Sequence, residues 1–444
     1  MALDQLQSRK ILDKVIALAR KAAPGADVSA SVSASHAGNT RFARGQVTSS
    51  GDVDRQALEV EIAVGKRHAR ASINQMDDAS LRDVVERAAR LAKLSPEDPE
   101  QMPPVGAQKY LAAHGAYDPG TDTLSAATRA AAAGAAMKVG TGKQLDVAGF
   151  YENAGTSLAR ANSAGLFGYH KWTGTSFTCT ARTADGSGSG WAGASSNRSA
   201  DIDAAAAAAI AADKAVRSAR PHKLDPGRYT VILEPAAVAE LTGFLSSALD
   251  ARGADEGRSF FSRPGGGNKT GDSIFGPSVT LKSDPADVAL EAQPFDGSGL
   301  PSPAVNWIDK GKLTGLVYSR FWAKKQGKAP TGRPSGWQLV GGSTPRADLM
   351  KGVKRGVLIT RFWYTRWVDP QSVLITGLTR DGVFLVENGE IVAPVNNFRF
   401  NESPVTMLKN VEAMSAAEVA PDGSMRAPAL RTSEFNLASI SDAV

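Results

Sequence analysis

The chain of 444 residues holds one cysteine, five histidines and no apolar run approaching 18 residues. A single thiol, Cys179, forbids an internal disulfide and fits a reducing compartment, so a cytoplasmic location is expected. Without a long apolar run, no membrane-spanning helix is expected. The first 25 residues scatter charges through their apolar positions, unlike a secretory signal. His36, His68, His114, His170 and His222 stand at least 32 residues apart, so no HExxH-like pair and no local His/Cys zinc cluster can form. No G-x-S-x-G elbow occurs. Gly188, Gly190 and Gly193 do fit G-x-G-x-x-G, but a serine-rich stretch follows where a dinucleotide site needs a helix. Gly140-Thr-Gly-Lys143 lacks the upstream glycine and the Ser/Thr of a phosphate-binding loop. Self-contained catalysis has no visible carrier.

What is present is an ordinary globular composition, 42% hydrophobic and 22% charged, in a length that allows two or three domains. The net charge of +6 is uneven. Between Arg320 and Arg366 eleven basic residues face Asp348 alone. Such a stretch could meet an acidic peptide, a partner subunit or nucleic acid, or be a set of solvated loops.

Apolar spacing predicts a first helix through Leu12, Val15, Ile16 and Ala19, ended by Pro24-Gly25. Alternation over 28–35 and 57–64 predicts strands with one covered and one wet face. A second helix is expected over 77–93, an alanine-rich third over 123–138, short strands over 146–182, a Gly/Ser loop over 185–199 and another alanine-rich helix over 201–218. A junction near 221–226 then divides an N-terminal α+β domain (1–222) from a C-terminal β-rich domain (223–444). In the latter, a strand at 228–233 precedes a helix begun by Pro235, after which strands dominate. Asn388-Gly389 is a strong hairpin turn, Asp309-Lys-Gly-Lys312 reads as another, and a last helix is expected over 403–414. The fold class read from this is α+β: N-terminal helices packed on an antiparallel sheet, then a mainly antiparallel, barrel-like β domain with a few helices.

Several stretches resemble the TldD/PmbA family. They are YTVILEPAAVAEL from Tyr229, GRSFF from Gly257, the polar turn before Asp284-Pro285 and, most specifically, TGLTRDGVFLVENGEIVAPVNNFRFNES from Thr376. Weaker similarity runs through TRFARGQV from Thr40 and ANSAGLFGYH from Ala161. The resemblance implies a two-subunit peptidase system. Its TldD-type subunit carries HExxxH on the helix after the YTVIL-like strand, two histidines and a distant cysteine hold zinc, and the glutamate is the base. Here those positions fall approximately on Gly243, Phe244 and Ala248, no histidine follows His222 and no cysteine follows Cys179. The chain is therefore similar to the zinc-free PmbA/TldE branch. That implies no cofactor in this chain, zinc in a TldD-like HExxxH-containing partner, and an unfolded or modified peptide held as an extended strand. Candidate peptide-binding residues are Ser259, Phe260 and Phe261 after the helix, and Arg361, Trp363 and Tyr364 in RFWYTRW. Core packing is the competing expectation for Phe260 and Trp363. A stand-alone peptide-binding protein and a hydrolase with a cryptic site are the alternatives; direct DNA or gyrase binding is the remotest.

Overall fold

A computed structural model describes residues 2–111 and 113–441. Helix α1 (Gln5–Ala22) opens with a capping box: the Asp4 carboxylate accepts from the Gln7 N–H, and the Gln7 side chain accepts from the Asp4 N–H. It is followed by β1 (Asp27–Ala43), β2 (Gln46–Val64), β3 (Arg67–Ile73) and α2 (Asp78–Leu94). Next come the short α3 (Pro119–Asp122), α4 (Ala126–Gly142), β4 (Leu145–Asn162), β5 (Phe167–Thr183), β6 (Ser189–Ser196) and α5 (Ala204–Arg217). The strands form one antiparallel sheet in the order β3-β2-β1-β4-β5-β6. Strand side chains alternate between faces. Val28, Ala30, Val32 and Phe42 of β1 and Val147, Tyr151, Ala159 and Ala161 of β4 are accordingly buried under the four long helices.

Two expectations need correcting here. The short strands expected over 146–182 are two long ones, and the expected Gly/Ser loop contains the edge strand β6. Gly190 of β6 and Gly188 just before it are there for close packing. A Cβ on Gly190 would lie 2.1 Å from the Ala211 carbonyl oxygen, and one on Gly188 would lie 2.2 Å from that of Ala215. Helix α5, which buries Ala204, Ala207, Ala208, Ala211, Ala212 and Ala215, thus rests on backbone. Two glycines of the G-x-G-x-x-G spacing, Gly188 and Gly190, thus serve helix–sheet contact, while Gly193 lies against Thr178 and Trp191 of the sheet.

The second half is built on β7 (Gly227–Leu233), α6 (Pro235–Ser247) and α7 (Ala251–Asp255). A small sheet then uses β8 (Leu281–Ser283), β9 (Val305–Asp309), β10 (Lys312–Leu313) and, after α8 (Arg320–Lys325), β11 (Trp337–Leu339). The larger sheet uses β12 (Arg355–Asp369), β13 (Leu374–Glu387), β14 (Glu390–Pro394) and β15 (Asn397–Glu402). After α9 (Pro404–Lys409) come β16 (Val411–Met414), β17 (Glu418–Val419), β18 (Arg426–Ala427) and β19 (Leu430–Ser441). Strands β12-β7-β19-β15-β13 close on themselves through β12–β13 pairing, giving a five-stranded barrel-like sheet. All its pairings are antiparallel except β7 with β12. The helix expected over 403–414 stops at Lys409, because Val411–Met414 pairs with β19. The chain is an α+β protein of the expected architecture.

The helix-free face of the N-terminal sheet is turned toward C-terminal loops. Arg160 on β4 donates to the Gly297 carbonyl at 3.0 Å, Tyr110 to that of Gly299 at 2.8 Å, and Ser195 to that of Pro421 at 3.0 Å. His170 of β5 is buried on this face, its ring stacked 5.1 Å from Trp172 and its Nε2 without a partner among the described residues. Burial pushes its pKa from 6.5 down to about 4. Between those values the unfolded chain binds a proton and the folded chain does not. Stability is therefore intact above about pH 6.5 and falls as pH drops toward about 4, by at most about 3 kcal/mol. Urea unfolding at pH 7.5 and pH 5 should show this slope, and His170→Gln should flatten it.

Candidate functional site

Helix α6 starts on Pro235 directly after β7 and buries Ala237, Val238, Leu241, Thr242 and Leu245. Its other face presents Glu240, Gly243 and Phe244. The Glu240 carboxylate accepts from the Thr365 hydroxyl, and the Phe244 ring meets Trp367 edge-on at 5.2 Å. Both contacts tie α6 to the outer part of β12.

That part of β12 is unusual. Strand β7 pairs with it only from Gly356 to Ile359. From Arg361 to Asp369 its ladder is with β13, so the opposite edge continues past the end of β7. The register breaks between Ile359 and Arg361, between Trp363 and Arg366, and between Trp367 and Asp369. At the middle break Tyr364 has φ +58°, a left-handed conformation costing roughly 1 kcal/mol for a non-glycine residue. The bulges turn large side chains outward: Trp363, Tyr364 and Trp367 are 40%, 60% and 39% exposed, with Val368 beside them. Arg380 lies over the Trp363 ring at 4.1 Å and Arg366 over Tyr364 at 4.2 Å. An aromatic ridge backed by guanidinium groups, next to a strand edge beyond its neighbour's reach, can hold an extended chain by backbone pairing and apolar contact.

The six residues singled out from sequence have different surroundings. Trp363 and Tyr364 stand on the ridge. The Arg361 guanidinium points the other way, 4.5 Å over Trp191 of β6 and 3.5 Å from the buried Asp381 carboxylate, which also accepts from the Ser189 hydroxyl at 2.5 Å. It joins the two halves, and burial lowers its pKa. Ser259 builds a turn: its hydroxyl accepts from the Phe261 N–H and its N–H donates to the Ser262 hydroxyl. Phe261 is fully buried in the C-terminal core. Phe260 packs against that core with Lys269 over its ring at 4.0 Å. Trp367, Phe244 and Arg380 were not singled out. The RFWYTRW run could have given Trp367, whereas Phe244 and Arg380 become neighbours of the ridge only through folding.

The basic stretch 320–366 is dispersed in the fold. Arg346 meets Glu234 and Glu418, Arg355 meets Glu387, and Lys351 meets Asp348. As for the implied zinc, Gly243, Phe244 and Ala248 offer no donor atoms. Among the described residues, no group of three or more His, Cys, Asp or Glu side chains is placed to hold a metal ion. These residues do not fit the metal.

The pattern described as PmbA/TldA metallopeptidase central domain matches residues 117–219, and the one described as PmbA/TldA metallopeptidase C-terminal domain matches residues 226–439. A protein of Methanothermobacter thermautotrophicus named metalloprotease is 27% identical over 221 residues, spanning 46% of each chain and so less than half the length of that relative. Among solved structures, TldE from Thermococcus kodakarensis superposes with a TM-score of 0.87 at 17% identity, covering 97% of this chain and all of the other. A candidate modulator of a DNA gyrase from Thermotoga maritima gives 0.85 at 19% identity, again over 97% of this chain and all of the other. At such identities these two likenesses speak for the fold.

Proposed function

The chain belongs to the PmbA/TldD metallopeptidase family, and from that membership we propose that it is the zinc-free subunit of a two-chain peptidase. In this reading it holds an unfolded or modified peptide as an extended strand while a TldD-like, HExxxH-containing partner cuts it in the cytoplasm, either to remove a leader or to degrade the chain. The observation that carries the proposal is the unextended edge of β12 with the Trp363–Tyr364–Trp367 ridge, set against α6. Backbone pairing is largely indifferent to sequence, which suits a binder of unfolded chains. The positions that match the family's metal ligands, Gly243, Phe244 and Ala248, carry no donor side chains, so hydrolysis falls to the partner.

Zinc content and peptide cleavage should be measured on this protein alone and after co-expression with an HExxxH-containing relative. Zinc and cleavage only in the co-purified complex are expected. A stable complex should leave the zinc stoichiometry at one per pair of chains. Stoichiometric zinc with cleavage by this chain alone would overturn the reading in favour of a cryptic hydrolase. Peptide binding with no complex formed would leave a stand-alone binder.

A further inference from the structure

A cavity of about 590 Å³ lies between the open face of the N-terminal sheet and the C-terminal loops. Its walls come from the ends of β1 and β4, the extended segment near Glu100, and loops around 296–300 and 317–333. Four arginines line it: Arg70, which is paired with Glu61, and Arg160, Arg320 and Arg333. The surrounding carboxylates make their direct contacts with other groups. Glu61 pairs with Arg70 at 2.6 Å, Glu100 with Arg252 at 2.9 Å, and Asp250 accepts from the Gly253 N–H at 2.6 Å. Asp296 accepts from the N–H groups of Ser298 and Leu300, which close its own turn, and from the N–H of Arg333 in the loop opposite. Asp27 stands exposed at the rim.

Asp296 acts on Arg160 and Arg320, and Glu59 on Arg160, only through space, without a direct ion pair. Among the described residues no carboxylate lies within 4.0 Å of the Arg160, Arg320 or Arg333 side-chain nitrogens. Arg160 spends one guanidinium nitrogen on the Gly297 carbonyl and keeps a buried Nε–H with no acceptor. Arg320 donates to the Pro103 carbonyl. Burial lowers the pKa of both, the signature of a cation taken from water without full compensation. A buried donor on a charged group is costly to leave unmade, and an anion entering the cavity would supply the missing acceptor.

We propose that this cavity is a carboxylate-binding site for an acidic peptide, formed by Arg160, Arg320 and Arg333 between the two halves. It is separate from the aromatic ridge and needs no partner subunit, so it stands or falls independently of the peptidase reading. The full chain should be titrated into fluorescein-labelled hexaglutamate, with hexaglutamine as control and inorganic phosphate as competitor. Hexaglutamate should bind and hexaglutamine should not, and affinity should fall steeply between 50 and 300 mM salt as about 10 Å screening sets in. Arg160→Gln and Arg320→Gln should each weaken binding about tenfold, the scale of one charged hydrogen-bonded contact. Arg333 is exposed, so Arg333→Gln keeps the test open should a variant at the half-buried positions not fold, and it too should weaken binding. Equal binding of the two peptides, or hexaglutamate affinity untouched by Arg333→Gln and by a folded Arg160→Gln, would overturn the proposal. So would phosphate competing as well as hexaglutamate itself, since the site would then take a small anion rather than a peptide.

Discussion

Replacing Arg129 by alanine is expected to destabilise the protein by about 3–5 kcal/mol, the cost of breaking a buried charged network by removing one partner. Arg129 sits in the alanine-rich α4 and is wholly buried. Its guanidinium donates to the Leu124 carbonyl at 2.7 Å, to Asn153 Oδ1 on β4 at 2.8 Å and to Asp52 Oδ1 on β2 at 2.6 Å. Gly38 of β1 leaves room for it, since a Cβ there would lie 2.1 Å from the Arg129 side chain. The Arg129 Nε–H also donates to the Thr40 hydroxyl of β1 at 3.4 Å, so one side chain fastens a helix to three strands. Alanine would leave the Leu124 carbonyl and Asn153 short of a donor and open a void. Lysine should recover only part of the loss, because one ammonium cannot reproduce three directions of a planar fork. Equilibrium urea unfolding checks the ranking: wild type, then Arg129→Lys, then Arg129→Ala. A loss under about 1 kcal/mol for Arg129→Ala, the range of an exposed ion pair, would mean that the network does not hold α4 in place.

Arg129 also shows where the sequence stops being informative. A lone arginine among alanines reads as the solvated face of a helix, and only the meeting of β1, β2 and β4 supplies its acceptors. Helices α1 and α2 were legible because their apolar stripes repeat locally. The Asn388-Gly389 hairpin between β13 and β14 was legible for the same reason, since both partners lie within a few residues. Strand β6 was not: its cue is glycine and serine, and its reason is the approach of α5 from the far side. Barrel closure depends on β7 running parallel to β12, more than a hundred residues away, which no local pattern encodes. The ridge was half legible. Its aromatic–basic composition is conspicuous in RFWYTRW, yet the bulges that send Trp363 outward and Arg361 inward toward Trp191 follow from pairing with β13. Proximity in sequence suggested Phe261 as well, and burial in the core explains that residue without a ligand.

The double change Trp363→Ala with Trp367→Ala is expected to lower affinity for an unfolded peptide or for the partner subunit by about 4 kcal/mol, roughly a thousandfold. The estimate takes about 2 kcal/mol for each exposed aromatic anchor of an interface. Arginine-flanked tryptophans are the side chains that most often concentrate binding energy, and here they stand in water with over a third of each surface available. The cost to folding should be small, about 1–2 kcal/mol, since what is lost is one cation–π contact and one tilted ring contact, to Tyr364, at Trp363, and one edge-on ring contact at Trp367. Affinity and thermal stability should therefore separate. Leu94→Ala makes a suitable control, because Leu94 is exposed at the end of α2 in the N-terminal half. Anisotropy of a labelled unfolded peptide reads one partner, and co-purification with an HExxxH-containing subunit reads the other. If the ridge grips the peptide, the assembled complex should still form and lose activity through KM. If it grips the subunit, the complex itself should fall apart. A double variant that assembles, binds peptide and supports cleavage like wild type would show that the ridge holds neither.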